Sequence, residues 1–450
     1  MNDFSDPTSE HGIKLPNQPK LLQILGPGLI TGASDDDPSG IATYSQAGAQ
    51  FGYALGWVML FSWPLMCAIQ EISARIGRVT GRGIAGNIKR HYGASLLYGI
   101  VTLLTVANTI NLGADLGAMA AALALLVGGP HLGYVAGFGI LSILLEVFSR
   151  YSRYVSILKW LTLSLFAYVG VAFMVKLPWA TIAYSLVVPD VQWNAAYFTV
   201  LVAILGTTIS PYLFFWQAEE EVEEVKERAG AKPLSRAPAQ APSELRRIRI
   251  DTIIGMGLSN VVALFIILTT AATLHANGIT DIQTSSQAAQ ALRPIAGEFA
   301  FFVFALGIIG TGLLALPVLA GSSAYAIGEA FGWHVGLTRK PRRAKAFYAT
   351  IAVSMVVGGI LNFTPLDPIK ALFWSAVING VVAVPVMITM MLLSSNKAAM
   401  GNFILPPVLK TIGWIATVVM AGAAVGMFVT WDAPRPNSTV RCCYSLSDQL

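Results

Sequence analysis

Asp35-Asp36-Asp37-Pro38-Ser39-Gly40 interrupts the first long apolar stretch of this chain. Upstream, residues 24–34 read Ile-Leu-Gly-Pro-Gly-Leu-Ile-Thr-Gly-Ala-Ser; downstream, residues 41–50 resume as a weakly polar helix pattern. A carboxylate near the middle of a membrane span costs about 2.5–3.5 kcal/mol on insertion scales. Proline withholds a backbone donor and crowds the carbonyl four residues back. Serine and glycine then add little helix propensity. The stretch predicts a span that unwinds where it carries its charge.

The rest of the chain supports a membrane setting. Of 450 residues, 55% are hydrophobic and only 12% charged, with a mean hydropathy of +0.63. A soluble domain is about 45–50% apolar and about 25% charged. The composition therefore describes an all-α polytopic membrane protein whose main surroundings are the lipid bilayer. A net charge of +5 does not imply nucleic acid, because the basic residues lie in short loops and report topology. Cys67, Cys442 and Cys443 make no disulfide framework. The stretch to about Lys20 is polar, without a signal-peptide pattern, so the first span is expected to be uncleaved.

Apolar runs and breakers predict about eleven spans: 22–50, 53–76, 95–128, 131–148, 154–176, 196–226, 248–275, 298–328, 346–363, 369–393 and 409–431. The 95–128 run is read as one tilted helix, with Asn108, Asn111 and Asp115 as its polar stripe. Basic residues cluster in alternate loops. Arg75, Arg78, Arg82, Lys89 and Arg90 follow span two, Arg150 and Arg153 span four, and Arg339, Lys340, Arg342, Arg343 and Lys345 span eight. The loops between hold almost none, which predicts a cytoplasmic N-terminus and an extracytoplasmic C-terminus. The predicted organisation is a cytoplasmic segment 1–21, a transporter domain 22–431 and a tail 432–450. Within the domain, the first repeat covers about 22–176, the second about 196–393 and an extra helix about 409–431. Residues 229–245, rich in Ala, Pro and Ser, are expected to form a flexible cytoplasmic linker.

A second break stands five spans on, at Gly206-Thr207-Thr208-Ile209-Ser210-Pro211-Tyr212. Alone it reads equally as a kinked helix whose hydroxyls rebond the freed carbonyls. Paired with the first, it marks interrupted spans at matching places in two five-span halves, the pattern of an inverted-repeat carrier with a midplane site. Unwinding frees carbonyl oxygens, which hard cations prefer, and a half-helix C-terminus is partly negative. Candidate ligands are the Asp37 carboxylate, the Ser210 hydroxyl, Thr207 and the backbone carbonyls of 33–37 and 207–210. Asp36 and Asp35 are candidates for water-mediated contact, or for capping within the bundle. Asp115, Asn108 and Asn111 are candidates for the ion path, with helix–helix hydrogen bonding as the alternative. Asn379 in span ten is a candidate to face the site, and Tyr212 a candidate gate. Glu219, Glu220, Glu221, Glu223 and Glu224 read as an acidic vestibule or a solvated helix face. Glu146 reads as structural, paired with nearby arginines.

Gly26-Pro27-Gly28-Leu29-Ile30 followed by Asp37-Pro38-Ser39-Gly40-Ile41-Ala42-Thr43 resembles the first span of the NRAMP divalent-metal transporters. Gly206 to Tyr212 resembles their sixth, and Gly310-Thr311-Gly312-Leu313-Leu314-Ala315 with Ala320-Gly321-Ser322-Ser323 their eighth. The resemblance covers nearly the whole chain. It implies a LeuT-like fold with helices 1 and 6 broken in a five-plus-five inverted repeat, alternating access, and import of divalent metal ions toward the cytoplasm. Asp37 keeps the family's metal-binding aspartate. Gly40 stands where the family has a coordinating asparagine, and Ser210 where it has a coordinating methionine. Tyr212 and Gln217 stand where two histidines linked to proton movement are usual, and Asp115 roughly where a proton-pathway glutamate is. The pattern is similar to the NRAMP-related magnesium transporter branch.

A thioether favours transition metals over magnesium, whereas Ser210 offers a hard oxygen. Magnesium keeps several waters and takes one or two carboxylates, which suits a wide, oxygen-lined site. The expectation is Mg2+, with Mn2+ also accepted, as transported substrate and no permanently bound cofactor. None of His11, His91, His131, His275 and His334 falls near either break, so proton coupling is expected to be weak or absent. Alternatives are a proton-coupled Mn2+/Fe2+ carrier of the same family and an amino-acid or organic-cation carrier on the same fold. An enzyme is not expected, for no His-Glu-x-x-His or Gly-x-Ser-x-Gly pattern occurs. The expected setting is a prokaryotic plasma membrane, and the expected state a monomer.

Overall fold

The computed structural model describes residues 31–32, 34–148, 165–228 and 230–431. The readings of 1–21, of Gly26 to Ile30, of Ala33, of Arg150 and Arg153, and of the tail with Cys442 and Cys443 fall outside them. The described chain is helical. Span one continues past its break as Pro38–Phe51, and span two is Gly56–Thr80. Spans three and four are Ala94–Val127 and His131–Phe148, and span five is described as Phe166–Met174. Span six is Ala195–Thr208 plus Pro211–Glu227, and span seven Ala241–Thr273. Spans eight to eleven are Ala300–Phe331, Lys345–Ile360, Pro368–Ser395 and Pro407–Trp431. Eight helical stretches are long and apolar enough to cross a membrane by length and composition. The others are the broken span one, span two with its buried Glu71–Arg75 pair at 2.6 Å, and the partly described span five.

Small residues bring the central helices into backbone contact, the usual way membrane helices pack closely. A methyl group on Gly206 would strike the Ala376 carbonyl and lie 2.7 Å from the Gly380 Cα, so spans six and ten cross there. Gly77 meets the Ala218 backbone, and the Ser73 hydroxyl donates to the Phe214 carbonyl. These contacts seat span two along the second half of span six.

The connections add one element to the predicted plan and correct it at two places. The connection between spans five and six holds a short helix, Trp179–Val187. Span seven starts at Ala241, not near 248, with its first turn carrying Glu244. The linker is docked at its middle, around Leu234 and Ser235. The Leu234 N–H donates to the Arg78 carbonyl and the Ser235 N–H to the Val79 carbonyl, both at 3.1 Å. These donors satisfy carbonyls left open at the C-terminus of span two, and the buried Leu234 side chain holds the loop down.

Candidate functional site

The two breaks use one local device. Asp37 is an extended N-cap (φ −68°, ψ 171°) followed by Pro38 in the first helical turn. Ser210 is an extended N-cap (φ −80°, ψ 134°) followed by Pro211. Proline suits this place because its missing N–H would be unpaired there anyway. Each proline leaves the carbonyl four residues earlier without its helical donor. Those carbonyls belong to Ser34 and Thr207, and both are rebonded by hydroxyls. The Ser210 hydroxyl donates to Thr207 O at 2.8 Å and to Gly206 O at 2.7 Å. The Tyr212 hydroxyl donates to Ser34 O at 3.2 Å. Span six thus completes the backbone of span one.

Asp37 is fully buried where the breaks meet. Its Oδ1 accepts from the Gly40 N–H at 2.7 Å and the Ser39 hydroxyl at 2.6 Å. Its Oδ2 accepts from Asn111 Nδ2 and the Tyr212 hydroxyl, both at 3.2 Å. An ionised carboxylate has about four acceptor positions, so protein donors take all of them. A cation reaching Asp37 must displace a donor, and the two long bonds at Oδ2 yield most easily. Asn111 is held in turn by span ten, whose Ser375 hydroxyl donates to Asn111 Oδ1 at 2.7 Å.

The structure separates the sequence candidates. Asp37, Asn111 and Tyr212 form one network. Thr207 lies beside it, its hydroxyl 3.1 Å from where a Cβ on Gly40 would stand, so Gly40 keeps the approach open. Ser210 caps the first half of span six while its lone pairs stay available. Asp36 and Asp35 turn to span seven, where the Ser259 hydroxyl contacts Asp36 Oδ1 at 3.1 Å and Asp35 Oδ2 at 2.6 Å. Asn108 ties spans three and eight together, donating to Leu319 O, Ser322 and Ser323. Gln217 accepts from the Thr31 hydroxyl at 2.6 Å. Asp115 and Asn379 are fully buried, and among the described residues neither side chain has a hydrogen-bond partner. Each stands one helical turn beyond a network member, Asn111 and Ser375 respectively.

Among the described residues no three His, Cys, Asp or Glu side chains are placed to share a metal. The site is instead one carboxylate among hydroxyls, an amide and peptide oxygens. Sequence reasoning missed three participants. Ser375 and Ser259 are lone serines in apolar helices, with no local signal. Met119 packs on Gly312, and a methyl group at Gly312 would come within 3.3 Å of Pro38. The eighth-span motif therefore lies against the first break.

Three members of the acidic run, Glu221, Glu223 and Glu224, have partners on other elements rather than forming a free solvated face. Arg247 pairs with Glu221 at 2.5 Å, Glu244 at 3.0 Å and Glu224 at 3.1 Å, and the buried Arg78 pairs with Glu244 at 3.2 Å. Glu223 accepts from Thr338 at 2.7 Å. These pairs bolt spans two, six and seven together; removing one partner of such a buried pair costs about 3–5 kcal/mol. Glu146 is buried, and among the described residues nothing pairs with it. His91 ends the helix Ile84–His91, far along the chain from either break. Partial burial, then the neighbouring Arg90 and Arg82 charges, hold it below the usual histidine range.

Two broken helices crossing at a buried carboxylate define a membrane carrier of the LeuT-like class. Solved structures share this fold. A manganese transporter from Eremococcus coleocola superposes with a TM-score of 0.69 at 18% identity, covering 92% of this chain and 88% of its own. The nucleobase-cation symporter Mhp1 superposes with a TM-score of 0.56 at 14% identity, covering 90% and 93%. Among curated relatives, the divalent metal cation transporter MntH of Burkholderia ambifaria is 26% identical over 431 residues, 92% of this chain and 89% of the relative. The model of the natural resistance-associated macrophage protein-like (Nramp) family matches residues 28–430, and the chain belongs to that family.

Proposed function

We propose that this chain carries divalent metal cations, Mg2+ foremost and Mn2+ with it, into the cytoplasm by alternating access with little or no proton coupling. The observation that carries the reading is the donor set around Asp37. Hard oxygen and amide groups surround it, and Ser210 supplies a hydroxyl at the sixth-span break. Such a set does not select against magnesium as a thioether does. One carboxylate with displaceable donors suits an ion that keeps much of its water. Asp115 and Asn379, buried a turn away with polar atoms unpaired among the described residues, are our candidates to hold such waters. The family and the names of the curated relatives support divalent-metal transport as the wider statement. The basic loops support an N-terminus inside and a C-terminus outside, and the bacterial relatives support a prokaryotic plasma membrane.

Competition tests the reading. In proteoliposomes holding the purified protein, excess Mg2+ should suppress Mn2+ uptake. Unchanged Mn2+ uptake would overturn the magnesium assignment. A second reading, transition-metal import, draws on Met119, whose sulfur packs at the Gly312 contact beside Pro38.

A further inference from the structure

Span six, span eight and the helix Ile84–His91 meet at two carboxyl groups. The Glu329 carboxylate of span eight caps that helix, accepting from the Gly83 N–H at 2.8 Å and the Gly86 N–H at 2.7 Å. The partly positive helix end favours a negative charge there. Glu219 of span six is buried and brings a second carboxyl into hydrogen-bond reach of the first. A Cβ on Gly83 would strike Glu219 Oε1 and lie 2.6 Å from Glu329 Oε2, and one on Gly86 would lie 2.6 Å from Glu329 Oε1. Bare glycines let both acids reach the backbone. Among the described residues, the other charges facing the pair are Glu223 and Lys226 of span six, and Glu223 already holds Lys226 at 2.8 Å. On span eight, the Tyr325 hydroxyl accepts from the Leu337 N–H, and Lys89 of the helix approaches Gly332 instead. Three carboxyls thus face one ammonium.

The geometry points to a proton shared by Glu219 and Glu329, a pH-sensitive clasp that joins the second half of span six to span eight and the helix Ile84–His91. Two ionised carboxylates at such range repel each other, and neither has a hydrogen to give. A protonated Glu219 donates its O–H to the Glu329 carboxylate, whose remaining lone pairs take the two glycine N–H groups. The clasped half-helix begins at the Ser210 break and carries Tyr212, so the clasp bears on the donor at Asp37 Oδ2. Once parted, both carboxyls meet water and ionise above the usual glutamate value of about 4.3. Closing then takes up one proton. Closure therefore weakens as pH rises, by about tenfold per pH unit.

Amide hydrogen exchange of the detergent-solubilised protein, without metal, tests the clasp apart from transport. The peptide spanning Gly83 to His91 is followed by mass spectrometry from about pH 6 to about pH 8, where exchange reads local opening. Each wild-type rate is divided by that of Glu219→Gln at the same pH, which cancels the intrinsic pH dependence of exchange. The glutamine amide donates to Glu329 without titrating. The expected ratio rises by about tenfold per pH unit. Glu219→Ala, with no donor, should exchange faster than Glu219→Gln at every pH. A ratio constant across the range, or equal protection in Glu219→Ala and Glu219→Gln, would overturn the clasp. Wild-type protection that appears only when Mg2+ is added would overturn it too, by making a cation the bridge.

Discussion

Removing the Tyr212 hydroxyl should tighten metal binding. That hydroxyl lies 3.2 Å from Asp37 Oδ2 and equally far from Ser34 O, so a cation at Oδ2 must displace it. A hydrogen bond to a charged group is worth about 1.5–3 kcal/mol. One proton shared between two acceptors belongs at the low end, about 1.5 kcal/mol. Tyr212→Phe keeps the ring, which is fully buried, and deletes only the competitor. About 1.5 kcal/mol is close to tenfold in Kd. Part of this is returned because Ser34 O loses the Tyr212 hydrogen bond. Titration calorimetry with Mg2+ on wild-type and Tyr212→Phe protein reads the change directly. The expected Kd is several-fold to tenfold lower in the variant. Weaker binding in Tyr212→Phe would make the hydroxyl a ligand or a holder of metal-bound water. An unchanged Kd would mean that Oδ2 is not where the ion binds.

Ser210→Met adds a soft donor at the sixth-span break and should raise affinity for Cd2+ and Mn2+ relative to Mg2+; equal ratios in uptake competition would show that cavity size governs selection. Met119→Ile should leave the Mn2+ to Mg2+ uptake ratio unchanged if the thioether is packing, and a selective loss of Mn2+ uptake would favour the transition-metal reading. Gly206→Ala presses a methyl group into the Ala376 carbonyl and Gly380, an overpacking worth about 1–3 kcal/mol, and should lower the thermal unfolding midpoint, whereas the surface substitution Gly422→Ala, with open space around it, should not.

The architecture was legible because its causes are local. Apolar runs and the two Asp/Ser–Pro breaks each act within a few residues, and span three emerged as the single helix its polar stripe required. Asp37, Asn111 and Tyr212 carried signals of charge, spacing and adjacency to proline. The partners were not legible. Ser375 supports Asn111 across 264 residues, and Ser259 reaches Asp35 across 224, distances at which one serine among apolar residues has no pattern. The linker misled because proline and alanine mark a loop without saying whether it docks. Leu234 anchors its middle, and the carbonyls the loop serves belong to span two. The acidic run misled similarly, because its partner Arg247 lies on another helix.

The central claim is that Asp37, set between the two breaks, holds the transported ion. Uptake of Mg2+ and Mn2+ into proteoliposomes, with internal pH read together, tests it most directly in wild-type and Asp37→Ala protein. Saturable uptake of both ions, without internal acidification and lost in Asp37→Ala, is the predicted result. Uptake that persists in a folded Asp37→Ala variant would contradict the account.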